Sequence, residues 1–304
     1  MTSIAQSKTG VFSISKPWRI VIIGVVVGAV LATIWSFNLV DSVIGDTVAN
    51  NLLGYNAKTT AIDSTVMGTL FAFVVGLAGT FTACNICAFS AIAPLAADKA
   101  SGSAIKPLLW LALGTVTVSA LYGAVGVLLG PTIPQLSTAR LGDPQTGFPV
   151  RLLQSSVVFV IIGLIFVVWA LVTLGILRNP VNIRFSWVRS FFIGALIGAF
   201  QIGRPYGLFF KMFQYAVSTH DVLFGALSFL LSGLGNILAM SILFLLLYYG
   251  TGGRFQKWLS AKPGRLIRLT AYTLLIGGVF FIVYWGLRVP SSFGIGWWPK
   301  MPWN

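Results

Sequence analysis

The two cysteines of the chain, Cys84 and Cys87, lie three residues apart within a long apolar stretch. On an α-helix, residues at this spacing share a face, and their Cα atoms are about 5 to 5.5 Å apart, which is a distance that a disulfide spans. The pair is therefore suited to alternate between a dithiol and a disulfide. The thiolate is also the form of cysteine that attacks disulfides and binds soft metal ions. The competing interpretation is that both cysteines are small hydrophobic side chains that only pack.

The segment around the cysteines has the composition of a broken transmembrane helix. Small residues from Gly76 to Ala83 permit close approach of a neighbouring helix, and Pro94 removes a backbone hydrogen bond. Within lipid, such a break is tolerated only where it is buried in protein or lines a cavity. We therefore expect a discontinuous helix with Cys84 and Cys87 near the break.

A second unusual segment, Gly203-Arg204-Pro205, lies about 120 residues further along the chain. An arginine at the centre of a bilayer costs roughly 2.5 to 3.5 kcal/mol on insertion scales, so it is expected to face a cavity, a counter-ion or freed carbonyl groups. Pro205 frees such carbonyls because it has no N–H. Gly203, Arg204, Pro205 and Pro94 are thus predicted to line a site. The alternative is that the span ends near Gly203 and that Arg204 extends to the membrane interface.

Composition places these segments in a membrane. Of the 304 residues, 57% are apolar and 9% are charged, and the mean hydropathy is +0.90. A water-soluble domain lacks the polar surface to cover so many apolar side chains, and the same figures exclude disordered, collagen-like and disulfide-rich classes. The formal net charge of +14 does not indicate a nucleic-acid-binding protein, because the basic residues lie between long apolar runs.

Seven apolar stretches are long enough to cross the hydrocarbon core as helices, which takes about 20 residues. They cover residues 20–40, 66–96, 108–130, 152–177, 188–216, 222–249 and 266–287. If the N-terminus is cytoplasmic, the loops on that side carry more than twice as many Lys and Arg as the opposite loops, as the positive-inside rule requires. The predicted localisation is an integral protein of a prokaryotic plasma membrane, with the N-terminus cytoplasmic and the C-terminus outside.

The predicted fold is an all-α polytopic membrane protein with about seven transmembrane helices: an extra N-terminal span plus a 3+3 inverted repeat with interrupted helices. Because three is odd, the second to fourth and the fifth to seventh spans have opposite orientations, and the interrupted helices of such repeats meet near the midplane. We divide the chain into an N-terminal tail, anchor span and outer loop (1–62), a first three-helix repeat (63–180), a second repeat (181–288) and a Trp-rich outer-interface tail (289–304).

Taken together, these features resemble the CcdA / DsbD transmembrane-domain family of cytochrome c biogenesis thiol-disulfide transporters. The resemblance covers about residues 66–287 and rests on segments 84–94, 203–205, 224–229 and 233–236. It implies that each half opens with a span carrying a cysteine near a proline, and that two cysteines form a reversible disulfide across the halves. In this chain Arg204 or a neighbour takes the place of the second-half cysteine, so redox chemistry would use Cys84 and Cys87 alone.

The function that the resemblance implies is a thiol-disulfide relay, which passes reducing equivalents from a cytoplasmic thioredoxin-like donor to an exported thiol protein. Cys84 would be the exchanging thiol and Cys87 the resolving thiol, and Arg204 would stabilise a thiolate. The chain would then be a thiol-disulfide oxidoreductase that needs no cofactor. Its remaining partner would be membrane lipid, and no nucleic acid is expected.

Two other functions fit the same residues. A transporter on the same scaffold would use Cys84 and Cys87 to bind a soft metal ion, or Arg204 to bind a small anion. No metal site is expected apart from that alternative. A structural subunit of a larger membrane complex would use the first span and the Trp-rich tail as contact surfaces.

Overall fold

The computed structural model describes residues 16–81, 105–178, 186–250, 254, 261 and 263–303. Cys84, Cys87 and Pro94 belong to the segment 82–104 and lie outside the described residues.

Five helices of the described chain are long and apolar enough to cross a membrane. These helices are α1 (Pro17–Ile34), α4 (Ile105–Leu129), α5 (Val150–Thr173), α8 (Val222–Leu245) and α9 (Pro263–Val283). Two shorter apolar helices, α3 (Thr65–Ala78) and α6 (Ser186–Ala199), occupy the second and fifth predicted spans. Shorter elements include α2 (Asp46–Leu53), α7 (Gly207–Ser218), α10 (Val289–Ser292) and a hairpin of β1 (Arg140–Leu141) with β2 (Phe148–Pro149).

The apolar surface of α1 identifies the chain as an integral membrane protein in contact with lipid. Ile22, Val26 and Val30 of this helix are each more than half exposed. In water this row of branched aliphatic side chains would be an extended hydrophobic patch, whereas in a bilayer it faces acyl chains. The all-α membrane fold predicted from composition is thus confirmed.

The fifth predicted span is interrupted where the sequence places Pro205. Helix α6 ends at Ala199, a 3₁₀ turn covers Phe200–Gly203, and α7 begins at Gly207. Arg204 between them has an extended backbone with φ −71° and ψ 116°. A residue that precedes proline is disfavoured in the helical region, and proline itself has no N–H for the helical ladder, so the break follows from the sequence.

Glycines allow the helix backbones to approach one another closely. Helix α4 packs along α6 and α8, α3 packs along α8, and α9 packs along both α5 and α1. A Cβ atom added to Gly194 of α6 would lie 1.9 Å from the carbonyl oxygen of Leu111 in α4, and one added to Gly76 of α3 would lie 2.2 Å from that of Ser232 in α8. Small residues bring helices together in this way because lipid supplies no hydrophobic force between them.

The same contacts give the relative directions of the helices. Gly24 and Gly28 of α1 meet Leu275 and Val279 of α9, so these helices are parallel. Helix α5 runs opposite to α9, with its Phe159 stacked on Trp285 beyond the end of α9 and its Gly163 against Gly278. We call the end of the bundle where α1 and α9 end and α5 begins the distal end.

The Trp-rich tail folds back onto the distal end of α1. The indole N–H of Trp303 donates to the carbonyl oxygen of Ile34 at 3.2 Å, and the hydroxyl of Ser291 donates to the carbonyl oxygen of Trp298 at 2.6 Å. The carbonyl of Ile34 belongs to the last turn of α1, whose carbonyls have no partner within the helix. The tail therefore caps α1.

We expect Gly194→Ala to lower the apparent melting temperature of the detergent-solubilised protein, because its new Cβ would force α6 away from the backbone of α4. Overpacking of this kind costs about 1 to 3 kcal/mol. The matched control is Gly264→Ala at the start of α9, where the nearest atoms to the new Cβ are the Arg268 guanidinium nitrogens at 4.0 Å. Equal melting temperatures for the two variants would contradict the close α4–α6 packing.

Candidate functional site

The side chain of Arg204 is only 5% exposed. It lies where the break between α6 and α7 meets α8 and the end of α3. Its Nη2 donates to Oδ1 of Asn236 in α8 at 3.4 Å, and its guanidinium carbon lies 5.9 Å from the ring centre of Tyr206 and 5.4 Å from that of Phe209. A Cβ atom on Gly79 would fall on the same Nη2. The absence of a side chain at Gly79, where α3 gives way to a 3₁₀ turn, thus leaves room for the guanidinium.

The Arg204 guanidinium lies near the middle of the bundle's height. Asn236 is 14 residues from the start of α8 and Gly79 is 14 residues from the start of α3, both of which begin at the same end of the bundle. At 1.5 Å per residue, both contacts are about 20 Å along their helices. The guanidinium therefore lies well away from the end of the bundle at which α3 and α8 begin.

Amide side chains from the distal end satisfy the backbone that the break exposes. Nε2 of Gln135 donates to the carbonyl oxygen of Arg204 at 2.9 Å and to that of Gln201 at 3.3 Å. Nε2 of Gln154 in α5 donates to the carbonyl oxygen of Ile202 at 2.6 Å, and the hydroxyl of Tyr122 donates to Oε1 of Gln135. Buried carbonyls need such partners, so the two glutamines hold the break in its extended form.

Two buried carboxylates follow α1 close to Arg204. Asp41 is 6% and Asp46 is 8% exposed, and Asp46 pairs with Nζ of Lys58 at 2.5 Å while it accepts a hydrogen bond from the Tyr206 hydroxyl at 3.3 Å. Burial raises the pKa of Asp41 to about 7, and the positive charge of Arg204 opposes this rise only in part. Asp41 thus carries a proton for part of the time near neutral pH.

A cavity of about 440 Å³ opens beside the break at the distal end. Three arginines line it: Arg151 from the start of α5, Arg204 from the break and Arg288 from the turn after α9. Within the described part of the chain, no acidic residue lines this cavity. We call it the arginine cavity. The rest of its wall is mostly apolar and consists of Phe37, Asn38, Gln135, Leu152, Ser155, Pro205, Gly207, Phe210, Tyr284, Trp285, Val289, Ser292 and Phe293.

Arg288 is as deeply buried as Arg204, with 5% exposure. Its Nη1 donates to the carbonyl oxygen of Ala32 in α1 at 2.5 Å, and its guanidinium carbon lies 5.1 Å from the ring centre of Tyr284. Arg151, by contrast, is exposed and lies 5.5 Å from the ring centre of Phe210. All three guanidiniums therefore lie near an aromatic ring, an arrangement that is favourable for cations.

The structure places three of the residues singled out in the sequence at one location. Gly203 packs against Ser155 and Phe159 of α5, and Arg204 and Pro205 line the arginine cavity. Cys84, Cys87 and Pro94 lie outside the described residues. Among the residues that are described, no group of three or more His, Cys, Asp or Glu side chains is placed to hold a metal ion.

Several residues of the site could not be recognised as site residues from the sequence. Arg288 directly follows an apolar stretch, as an ordinary flanking arginine does, and Asp41 looks like a loop residue after the first span. Gln135 also falls in a loop. Only Gln154, an amide within the fourth predicted span, has a position that could have indicated a role.

Comparison with protein-family models, curated proteins and solved structures finds no match to this chain. The resemblance to the CcdA / DsbD family therefore remains a prediction.

We expect the wild-type protein to lose stability relative to Asp41→Asn as the pH rises from 5 to 8. The pKa of Asp41 is near 3.8 when unfolded and about 7 when folded, so the folded protein keeps a proton in this window that the unfolded chain has lost. Stability then falls as the pH rises through the window. Asparagine cannot ionise and removes the effect.

The measurement is the melting temperature in detergent at several pH values. Asp143→Asn is the matched control, because Asp143 lies in the exposed β1–β2 loop with its carboxylate bound to the N–H groups of Gln145 and Thr146. Its pKa is below the usual value, so its charge does not change between pH 5 and 8. Parallel pH profiles for wild type and Asp41→Asn would show that Asp41 is ionised throughout.

Proposed function

We propose that this protein is a membrane carrier of a small anion, with Arg204 as its central binding group. The observation that carries the proposal is the burial of the Arg204 guanidinium, which extends from the break between α6 and α7 and lies on the wall of a cavity lined by two further arginines. A buried charge in a membrane protein is costly, and such residues mark substrate and ion pathways. An anion that reaches Arg204 would pair with the positive charge of its guanidinium.

The helix contacts support an inverted repeat of two triplets, α3–α4–α5 and α6–α8–α9. The first helix of each triplet packs in parallel along the second helix of the other, as α3 does along α8 and α6 along α4. The third helices, α5 and α9, pack together with Gly163 against Gly278. Both first helices have 14 residues and continue into a 3₁₀ turn. If the two triplets are interchanged, the same pairs of helix positions remain in contact.

Such a repeat provides a route for transport. Carriers built from inverted repeats bind substrate near the midplane, where interrupted helices expose backbone and charge, and expose the site alternately by rocking one part against the other. With the N-terminus in the cytoplasm of a prokaryotic cell, as the distribution of Lys and Arg favours, the distal end and the arginine cavity face outside. The anion would then enter from outside.

Asp41 gives this carrier a means of responding to protons. When Asp41 is ionised, its carboxylate competes with an incoming anion for the positive charge of Arg204. When it is protonated, Arg204 is free of this competition. Anion binding should therefore be stronger below pH 7 than above it.

We expect proteoliposomes that contain the protein to take up at least one of three labelled oxyanions, namely sulfate, phosphate and benzoate, faster than protein-free vesicles. Arg204→Gln should abolish this uptake, and Arg204→Lys should reduce it at least tenfold, because lysine lacks the guanidinium fork. Arg140→Gln in the exposed hairpin is the matched control and should retain full uptake. Size-exclusion profiles verify that the variants are folded.

Two outcomes oppose the proposal. If none of the three anions crosses faster with the protein present, the protein is not a carrier of small oxyanions. If uptake by Arg204→Gln equals that of wild type, Arg204 is not its binding group.

A thiol-disulfide relay is a second candidate, favoured by the position of the chain just before the cysteines. The Thr80 hydroxyl donates to the carbonyl oxygen of Asn236 at 3.2 Å, and Gly79 adjoins the Arg204 guanidinium. Cys84 follows Gly79 by five residues, and five residues span at most about 18 Å. A thiolate brought near Arg204 would be stabilised by its charge.

In such a relay, two electrons and two protons would pass from the dithiol of a cytoplasmic thioredoxin-like donor to Cys84 and Cys87. The resulting dithiol would then reduce the disulfide of an exported protein. The resemblance to the CcdA / DsbD family supports this order of transfer.

The relay predicts that Cys84→Ser and Cys87→Ser each abolish reduction of a disulfide reporter protein outside the membrane. Thiol trapping of the reporter measures its redox state. Serine preserves size and removes only the redox chemistry, so the fold should persist. A reporter that stays equally reduced with either variant would eliminate the relay, whereas anion uptake is not expected to change.

A further inference from the structure

Two residues that line the arginine cavity each carry a buried N–H group with no hydrogen-bond partner in the described chain: Nη2 of Arg288 and Nε1 of Trp285. Arg288 is 5% and Trp285 is 3% exposed, so neither side chain is freely hydrated. Both residues belong to the same turn after α9, three positions apart. Two residues of the cavity wall thus carry donors that need an acceptor.

The surroundings of these donors explain why the acceptor should be an anion. A buried donor without a partner costs about 1 to 3 kcal/mol, and more when it is charged. Arg288 already donates through Nη1 to the carbonyl of Ala32, which leaves its positive charge without an acidic partner among the described lining residues. A water molecule would satisfy one N–H but would not neutralise this charge, whereas a phosphate or carboxylate does both.

The remaining wall of the cavity fits an apolar group. Phe37, Phe210, Val289 and Phe293 face the same space as Arg288. An inorganic ion would leave these side chains against water, while a ligand with a hydrocarbon or aryl body would cover them. The volume of about 440 Å³ accommodates a small organic anion or the head of a lipid.

We propose that the arginine cavity is a binding site for an amphiphilic oxyanion. Its phosphate or carboxylate group would accept hydrogen bonds from Arg288 Nη2 and Trp285 Nε1 and pair with Arg151, and its apolar body would lie against Phe37, Phe210 and Phe293. This inference deepens the proposed function, on which it rests only for the further passage of the ligand to Arg204. Binding itself requires no transport.

Two sources supply this chemistry. One is a soluble organic anion such as an aryl phosphate. The other is the phosphate of an anionic membrane lipid, since the cavity lies at the level where α1 and α9 end. The two are separated by experiment with defined probes.

The first arm measures binding of phenyl phosphate and of inorganic phosphate to the full chain in nonionic detergent by titration calorimetry. We expect phenyl phosphate to bind at least tenfold more tightly, because only it covers the apolar wall. The second arm measures retention of phosphatidylglycerol and phosphatidylcholine by native mass spectrometry. If the natural source is a lipid, phosphatidylglycerol should be retained preferentially and phenyl phosphate should displace it.

Three variants test the assigned donors. Trp285→Phe removes one N–H but keeps an aromatic ring, and should weaken binding about three- to tenfold. Arg288→Lys keeps the charge and loses the forked donor pair, and Arg288→Gln loses both, with expected losses of several-fold and at least tenfold. The matched controls are Trp297→Phe, at a tryptophan that is 81% exposed, and Arg140→Gln, and neither should alter binding.

The inference is supported if wild type binds phenyl phosphate or phosphatidylglycerol and the variants of Trp285 and Arg288 lose affinity in the expected order. It is overturned if wild type binds neither probe, if inorganic phosphate binds as tightly as phenyl phosphate while phosphatidylcholine is retained as well as phosphatidylglycerol, or if the variants bind like wild type. Uptake by the wild type without measurable binding of either probe would refute this site and leave the carrier standing. Binding of a probe to the wild type without uptake of any of the three anions would support this site and refute the carrier.

Discussion

The burial of one guanidinium at mid-height determines how the surrounding helices are built. Arg204 needs hydrogen-bond acceptors, space and aromatic faces, and each comes from a different element: Asn236 from α8, the bare backbone of Gly79 at the end of α3, and the rings of Tyr206 and Phe209. Because a charge in lipid is tolerated only with such support, the break in α6 and the early end of α3 serve the same purpose. The two short helices meet where the charge lies.

Close packing at glycines supports the two short helices α3 and α6. Where α6 approaches α4 and α3 approaches α8, backbone lies directly against backbone at Gly194 and Gly76, so neither short helix depends on its own length for support. The exposed carbonyls of the break are held by Gln135 and Gln154. The local irregularity at Arg204 is therefore surrounded by close packing, which keeps the guanidinium in a defined position.

The sequence allowed the membrane class, the helical fold and the break at Pro205 to be predicted, because each depends on local properties: hydropathy over about 20 residues, and the missing N–H of proline. The unusual position of Arg204 was readable for the same reason. Asp41, Gln135 and Arg288 were not predictable as site residues, since each looks like an ordinary loop or flanking residue and acquires its role only when distant helices are brought together. The cavity forms only when distant segments pack together, so no periodicity of the sequence predicts it.

The seam between α1 and α9 has a mechanical consequence. Gly24 and Gly28 lock these two helices side by side, Arg288 is bonded to the end of α1 through Ala32, and Trp303 fastens the tail to Ile34. Helix α1, helix α9 and the tail are therefore tied to one another at the distal end. Helix α5 packs on α9 through Gly163 and Gly278, so the positions of Phe37, Arg288 and Arg151 around the arginine cavity are coupled through one set of helix contacts.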